Sequence, residues 1–366
     1  MSSDRNRVLR LHLSLSTYRR ERMQGPPRPC DLGIMRPLPK LILAKNLTQI
    51  GASSRPLPAQ AKAGKLVRVR QGVYVDAAEW KGLQSWDQYR LRIEAAAETC
   101  NAPTVFSHHS AASPWGIATI ERGQPVHALT TIRGGGRSRA GIRRHLVEPG
   151  TIDTAELDGL LVTSRVQTVL DLAAYVPFAE ALVPLDHVLK PDPARGLPAL
   201  TKEELLGALP GRYKAAVERR VRAAIEYADP ASGSAGESFS RSLIHVAGFE
   251  APVLQHAIHD SDGLLGYADF YWKRAKVVGE FDGVEKYVKP EFLKGRTVSQ
   301  AVVAEKKREN RIRATGRNVV RWDWSDLMER GKLEGMLAAA GVSRRRRPSA
   351  GRGNGGGMQK RSGDTR

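Results

Sequence analysis

The segment YADFYWKRAKVVGEFDG, residues 267–283, constrains the fold of this chain more than any other stretch. Two apolar, strand-like runs flank Lys273, Arg274, Ala275 and Lys276, the pattern of a β-hairpin with a four-residue loop. That loop pairs Trp272 with Val277, and counting back along both strands sets Asp269 opposite Glu280. Opposed residues hold their Cβ atoms about 4.5–5.5 Å apart. Because side chains alternate, Ala268, Phe270 and Trp272 share a face with Val277, Gly279 and Phe281, and this apolar face is expected to turn inward. The other face gathers Tyr267, Asp269, Tyr271, Val278, Glu280 and Asp282. Three carboxylates crowd there.

Like charges set opposite one another destabilise a sheet, so the acid face needs a compensating cation or raised pKa values. A hard divalent ion, Mg²⁺ or Mn²⁺, suits oxygen ligands, and Asp269, Glu280 and Asp282 are the candidate metal set. Such an ion polarises a phosphodiester and acidifies an attacking water. The alternative is a solvated face whose acids pair with Lys273, Lys276 and Lys286. Upstream, SAGESFSRSLIHVAG reads as a helix with Ser234 as N-cap and Gly248 as its stop. Glu237 then has two readings, capping-box partner or third-party acid at the metal face. Downstream, Glu305 to Arg313 (EKKRENRIR) reads as a charged helix with Glu305, Arg308 and Glu309 on one side and Lys306 elsewhere. Such a run is commonly a solvated, internally paired face. It also suits a DNA backbone, with Arg308 and Arg311 as the contacts. Gly316 ends this helix, and the strand-like NVVRWDW ties it to the same sheet.

The rest of the chain points to a polyanionic partner. Lys and Arg number 58 against 38 Asp and Glu, a net charge of +20 over 366 residues, and so large an excess favours nucleic acid. Near the N-terminus, LILAKNLTQIG predicts a short helix closed by Gly51, and a second runs from about Pro56 to Ala63. KLVRVRQGVYV predicts a two-stranded hairpin turning at Gln71 and Gly72. Helix, helix and basic hairpin is the plan of a winged helix-turn-helix, in which Arg68 and Arg70 on the wing meet phosphate. A small helical cap on a sheet satisfies the same pattern.

Between these parts, a mixed middle region holds a helix over Trp86–Cys100, a basic strand-like stretch over Val126–Leu146, and a helix over Ser164–Ala174 capped by Ser164. His108 and His109 are adjacent, which on a strand sends them to opposite faces, and no Cys or His follows at zinc spacing. Metal binding is not expected there. Arg133, Gly134, Gly135, Gly136 and Arg137 read as a hairpin tip or a phosphate grip. Cys30 and Cys100 are the two cysteines, so no disulfide framework or cysteine zinc site is implied, and a reducing cytoplasm fits. Leu9 to Leu15 is too short and interrupted for a membrane span or a convincing signal peptide. The Arg-rich residues 1–35 read as a disordered tail or an over-long start upstream of Met35. Residues 342–366, Gly- and Arg-rich, read as a second disordered tail.

The series GES, ADFYW, GEFDGVEKY and EKKRENRIRATGRNVVRWDW resembles the PD-(D/E)xK restriction-endonuclease-like superfamily, in the branch related to very-short-patch-repair endonucleases. That resemblance implies a helix-flanked mixed sheet in which Asp269 and Glu280 hold the metal, Glu237 assists, and a lysine helps activate water. Ala268 replaces the proline of the motif and Asp282 stands where its lysine belongs, leaving Lys286 and Lys306 as candidates for the amine. It also implies a DNA substrate and a homodimer as the assembly that cuts both strands. LILAKNLTQIG through GKLVRVRQGVYV resembles the winged-helix domain of AbiEi-family antitoxins, and SHHSAASPWGI with LVTSRVQTVLDLA resembles the region following it. That second resemblance implies DNA binding at the protein's own promoter beside a toxin partner. The expected class is therefore α/β (α+β): winged helix over residues 36–80, mixed middle region over 81–225, and endonuclease-like mixed sheet flanked by helices over 226–341. Two functions stay open, a metal-dependent DNA endonuclease and a non-catalytic DNA-binding regulator.

Overall fold

The computed structural model describes residues 38–345, apart from 101, 121–122, 133–140, 149 and 284–297. The N-terminal tail, the Arg133–Arg137 stretch and Lys286 lie outside the described residues. The chain is α/β in class and divides into two compact units between Ser242 and Leu243, rather than at residue 225.

The first unit opens with β1 (Ile42–Leu43), α1 (Ala44–Gln49), α2 (Pro56–Lys62), β2 (Leu66–Arg70) and β3 (Val73–Asp76). Ile42 and Leu43 pair with β3 instead of beginning a helix, because they meet Tyr74 and Val73 across an antiparallel rung. The three strands order β1-β3-β2, with Gly72 at φ +74° turning the hairpin. Leu57, Leu66 and Tyr74 pack α2 onto this sheet. Two helices follow, α3 (Ala77–Lys81), whose first turn is capped by Asp76, and α4 (Ser85–Thr99).

The middle of this unit begins with α5 (His108–Trp115), a helix where a strand was expected. β4 (Val126–Thr130) and β5 (Ile142–Leu146) pair in parallel. A parallel pair needs a crossover connection, and the Arg133–Arg137 stretch lies outside the described residues. β6 (Thr154–Leu157) and β7 (Leu160–Thr163) form an antiparallel hairpin, and Phe106 bridges β4 to β7. Then come α6 (Arg165–Tyr175), capped by the Ser164 hydroxyl, α7 (Phe178–Val188), α8 (Lys202–Gly207) and α9 (Ala215–Tyr227). Leu170, Leu182, Leu185, Val221 and Ile225 form an all-helical core between them. The unit boundary falls inside α10 (Ala235–Val246). Its first part is held by a buried pair, Arg241 to Asp186 of α7, at 2.8 Å.

The second unit is built on a four-stranded mixed sheet, β11-β10-β9-β8. β8 spans Val253–Asp260, β9 Gly263–Trp272, β10 Val277–Phe281 and β11 Asn318–Trp322. Trp272 pairs with Val277, Tyr271 with Val278 and Phe270 with Gly279, the register that the four-residue loop dictates. β10 runs parallel to β11. Phe270, Trp272, Val277 and Trp322 bury one face, and Gly279 is required there because a Cβ on it would lie 2.5 Å from Trp322 and 3.0 Å from Trp272. The opposite face is also covered. Ile312 of α11 (Val298–Ala314) packs with Tyr271, Val278 and Val319, so β10 is buried along its whole length. Ala268 joins this second cluster, not the Trp272 face that strict alternation assigns it. Two short helices, α12 (Trp324–Met328) and α13 (Lys332–Ala339), close the unit. Ser343–Arg345, read as the start of a disordered tail, instead continue the fold: the Glu250 NH donates to the Ser343 carbonyl at 2.8 Å. Arg344 adds to this by lying 4.7 Å over Phe249 and reaching Glu334 at 3.2 Å.

Candidate functional site

The hairpin brings Asp269 and Glu280 to the rung just beyond the last paired residues, Phe270 and Gly279. There the ladder gives way to side chains. The Asp269 carboxylate accepts the Phe281 NH at 2.9 Å and faces the Gln255 amide at 3.5 Å, so it terminates the strand pairing. Glu280 is 3 % exposed, and a buried carboxylate must find counter-charge. The countercharge expected from a divalent ion is supplied by two guanidinium groups. Arg308 of α11 reaches one Glu280 oxygen at 2.6 Å and Arg321 of β11 reaches the other at 2.6 Å.

Arg321 arrives there by register. The parallel ladder sets Glu280 directly beside Arg321, and helical spacing puts Glu305, Arg308 and Glu309 over the same spot. Arg321 also pairs with Asp282 at 3.2 Å, Glu309 at 3.1 Å and Glu305. Four acids and two arginines thus form one network. Burial pushes the Glu280 carboxyl above the usual glutamate range, opposed by the pull of Arg308 and Arg321. Glu305 is half-exposed, and although desolvation opposes ionisation, bonds from Arg308 and Arg321 hold it down to about 2.

The other expected site residues are dispersed in role. Glu237 closes its own helix: its carboxylate accepts the Gly233 NH at 2.7 Å while its NH donates to the Ser234 hydroxyl at 3.2 Å. Arg308, expected on DNA, turns inward to Glu280 and Glu305, because an unpaired acid behind it is the stronger attraction. Arg311 is engaged by Asp260 at 2.7 Å and Asp262 at 3.1 Å on the β8–β9 turn. Lys306 is exposed on α11. Arg68 is exposed on the β2–β3 hairpin and Arg70 is half-buried beside a bulge in β2. Arg321 is the participant that the sequence does not single out; only the parallel placement of NVVRW beside VVGEF reveals it.

A second constellation lies in the first unit. His108 and His109 open α5, His127 sits in β4 and His145 in β5. Ser110 locks α5 to β4 by accepting the His127 NH at 2.8 Å while sharing a 2.8 Å bond with the Tyr89 hydroxyl. The rings of His108 and His145 stack at 3.8 Å, and Tyr175 stands edge-on to His108, His127 and His145. Among the described residues, one ring nitrogen each from His108, His127 and His145 lies within 4.8 Å of the others. Burial lowers all four histidines, His108 well below the usual range, His109 and His145 to about 4, and His127 to about 3. The neighbouring rings and Arg143 add to the effect on His108 and His127. The signal available in the sequence was density, with four of nine histidines between residues 108 and 145.

No family model matches the chain. Two Mycobacterium tuberculosis proteins, uncharacterized protein MT2308 of strain CDC 1551 / Oshkosh and uncharacterized protein Rv2248 of strain ATCC 25618 / H37Rv, are each 26% identical over 242 residues. Those alignments cover 66% of this chain and 83% of each relative. Among solved structures, the Rv2827c protein of M. tuberculosis is similar at 13% identity with a TM-score of 0.33, covering 62% of this chain and 85% of that one. Among the described residues, no helix is long and apolar enough to cross a membrane.

Proposed function

We propose that this chain is a DNA-binding protein that engages duplex through its N-terminal winged helix. The observation that carries the reading is the β1-β3-β2 order with α1 and α2 preceding the hairpin, an arrangement that leaves α2 free to enter a major groove and the wing beside the backbone. Charge agrees with it: residues 38–81 hold eight Lys and Arg against two Asp and Glu. DNA in the cytoplasm is the partner on this reading, and a toxin partner and a homodimer are extensions of it. The engagement of Glu280 by Arg308 and Arg321 favours the regulator form, in which the sheet of the second unit acts as a scaffold.

The nuclease form keeps one specific support, the placement of Asp269 and Glu280 on adjoining strands with Lys306 exposed on the covering helix. On it, Asp269, Glu280 and Asp282 would hold Mg²⁺ after Arg308 and Arg321 are displaced.

One experiment addresses both. Binding of the full chain to its own upstream DNA and to scrambled duplex is measured across a salt series, with Arg68→Ala/Arg70→Ala alongside. The double variant is expected to bind several-fold more weakly on every duplex, with the salt slope reduced by about 2. An unchanged slope sinks the wing contact, and equal affinity for both duplexes sinks the regulator. Plasmid incubated with Mg²⁺ or Mn²⁺ completes the set. Cutting that disappears in both Asp269→Ala and Glu280→Ala selects the nuclease form.

A further inference from the structure

Three buried histidines and the half-buried His145 have no part in the acid network or in the proposed DNA binding, yet they form the densest cluster of potential metal-ligating nitrogens among the described residues. Three separate elements deliver them. α5 contributes His108, whose backbone adopts φ +51°, a left-handed conformation that costs a non-glycine residue energy and recurs where function holds it. β4 and β5 contribute His127 and His145, offset by two residues in the parallel register, since His127 pairs with Arg143 and Leu129 with His145.

We propose that His108, His127 and His145 form a binding site for a late first-row divalent cation, with Zn²⁺ as the best fit.

Geometry is the first support. Nδ1 of His127 and Nε2 of His145 are 2.9 Å apart. Two ligands of a tetrahedral Zn²⁺ at about 2.0–2.1 Å stand about 3.3–3.4 Å apart, so replacing the His127–His145 hydrogen bond with an ion asks this pair to part by only a few tenths of an ångström. With His108 added, one ring nitrogen from each of the three histidines lies within 4.8 Å of the others. His108 Nδ1 meets the Ser107 hydroxyl at 3.0 Å, the kind of outer bond that fixes a ligating imidazole's tautomer.

Unsatisfied polarity is the second support. His127 Nε2 is buried and lacks a hydrogen-bond partner on a fully buried residue, which makes it the alternative ligand atom to Nδ1; His109 Nδ1, also unpartnered, lies outside the proposed set. Buried ring nitrogens are ordinarily paired, and clusters that are not call for an ion or water. Donor chemistry is the third. All three ligands are imidazole nitrogens, and no carboxylate is among them. That set selects Zn²⁺, Cu²⁺, Ni²⁺ or Co²⁺ over Mg²⁺ and Ca²⁺. Arg143 is the nearby cation; its guanidinium lies 5.5 Å over the Tyr175 ring and donates to the Tyr175 hydroxyl. A fourth position is left for water or a small anion, which would offset that charge. Such an ion would clamp α5, β4 and β5 together.

The test uses the untagged full chain, stripped with chelator and titrated with ZnCl₂ by calorimetry. One equivalent is expected to bind and to raise the melting temperature. His145 is half-buried, so His145→Gln is the variant least disposed to misfold; it is expected to weaken Zn²⁺ binding by at least about tenfold, as is His127→Gln. His259→Gln, in the other unit, leaves binding unchanged. Circular dichroism of the stripped variants separates ligand loss from misfolding. Should both variants misfold, Co²⁺ bound to the wild-type chain decides, since its visible spectrum distinguishes imidazole coordination from a hexa-aquo ion. The proposal is overturned if the stripped wild type shows no saturable Zn²⁺ uptake, if folded His145→Gln and His127→Gln bind as tightly as wild type, or if Co²⁺ keeps its aquo spectrum.

Discussion

Replacing Asp186 by Asn removes a charge on which the first unit depends. Asp186 is fully buried and Arg241 is 4 % exposed. The guanidinium contacts both Asp186 oxygens at 2.8 Å, the Tyr227 carbonyl at 2.9 Å and the Ser232 hydroxyl at 3.2 Å, and stacks 4.6 Å over the Tyr227 ring. Asp186 also accepts the Asp229 NH at 2.8 Å. An asparagine keeps the shape but turns an amide donor toward a cation, and the arginine left behind has no water to replace its partner. Breaking one side of a buried pair in this way costs about 3–5 kcal/mol. Stabilities of about 5–15 kcal/mol are usual, so the variant is expected to fold but to melt early. At about 2–4 °C per kcal/mol for a domain of this size, the transition of the first unit falls by about 6–20 °C. Urea titration followed by circular dichroism reads the same loss. Because the damage lies in the orphaned cation, adding Arg241→Met to Asp186→Asn is expected to restore part of it. A loss below about 1 kcal/mol, or a double variant whose two losses simply add, refutes this account.

Asp171 gives a pH dependence of opposite sense to an ordinary salt bridge. Burial raises its carboxyl to about 6, against the lowering bonds from Tyr213 and Gln167. A folded value above the unfolded 3.8 means the native state holds the proton more tightly. The stabilisation is therefore full below pH 3.8 and is lost as pH rises through 6, by up to about 3 kcal/mol for a shift of about 2 units. Denaturant midpoints at pH 5 and 8 are expected to differ in that direction in wild type and to converge in Asp171→Asn; an unchanged difference in the variant assigns it elsewhere. Gly279→Ala forces a methyl against the buried Trp272 and Trp322 rings and is expected to cost about 1–3 kcal/mol, read as a lowered melting temperature. A neutral substitution there would show that the two rings can part.

The sequence was most informative where contacts are local. The Trp272–Val277 pairing followed from loop length alone, the Ser164 cap from the residue type at the start of its helix, and the Ser234 cap from Glu237 three residues on. The β2–β3 hairpin was legible because Gln71-Gly72 punctuates two alternating runs. What covers the acid face was not legible. Arg321 meets Glu280 only because β11 docks parallel to β10, and parallel docking is decided by packing across a long crossover rather than by any local turn. With that strand unplaced, three acids on one face looked like a metal site awaiting its ion. The histidine cluster was missed for the same reason: His127 and His145 join His108 through another parallel pair, at spacings that match no zinc motif. A third failure was local. His108 and His109 lie in a helix, where neighbouring residues at its first turn both face the interior.

The parallel order of the last two strands also sets a schedule. Glu280, Arg308 and Arg321 leave the ribosome in that order, and at about 5–20 residues per second the acid is made about 2–8 s before the second of its two cations. Until β11 docks, the hairpin has a carboxylate on a strand that cannot yet be buried without penalty. The nascent second unit therefore has reason to stay open, with its apolar hairpin exposed, until β11 has been made and docks beside β10. Completion of the sheet, rather than its nucleation, is then the step at which this unit becomes vulnerable to aggregation or dependent on a chaperone.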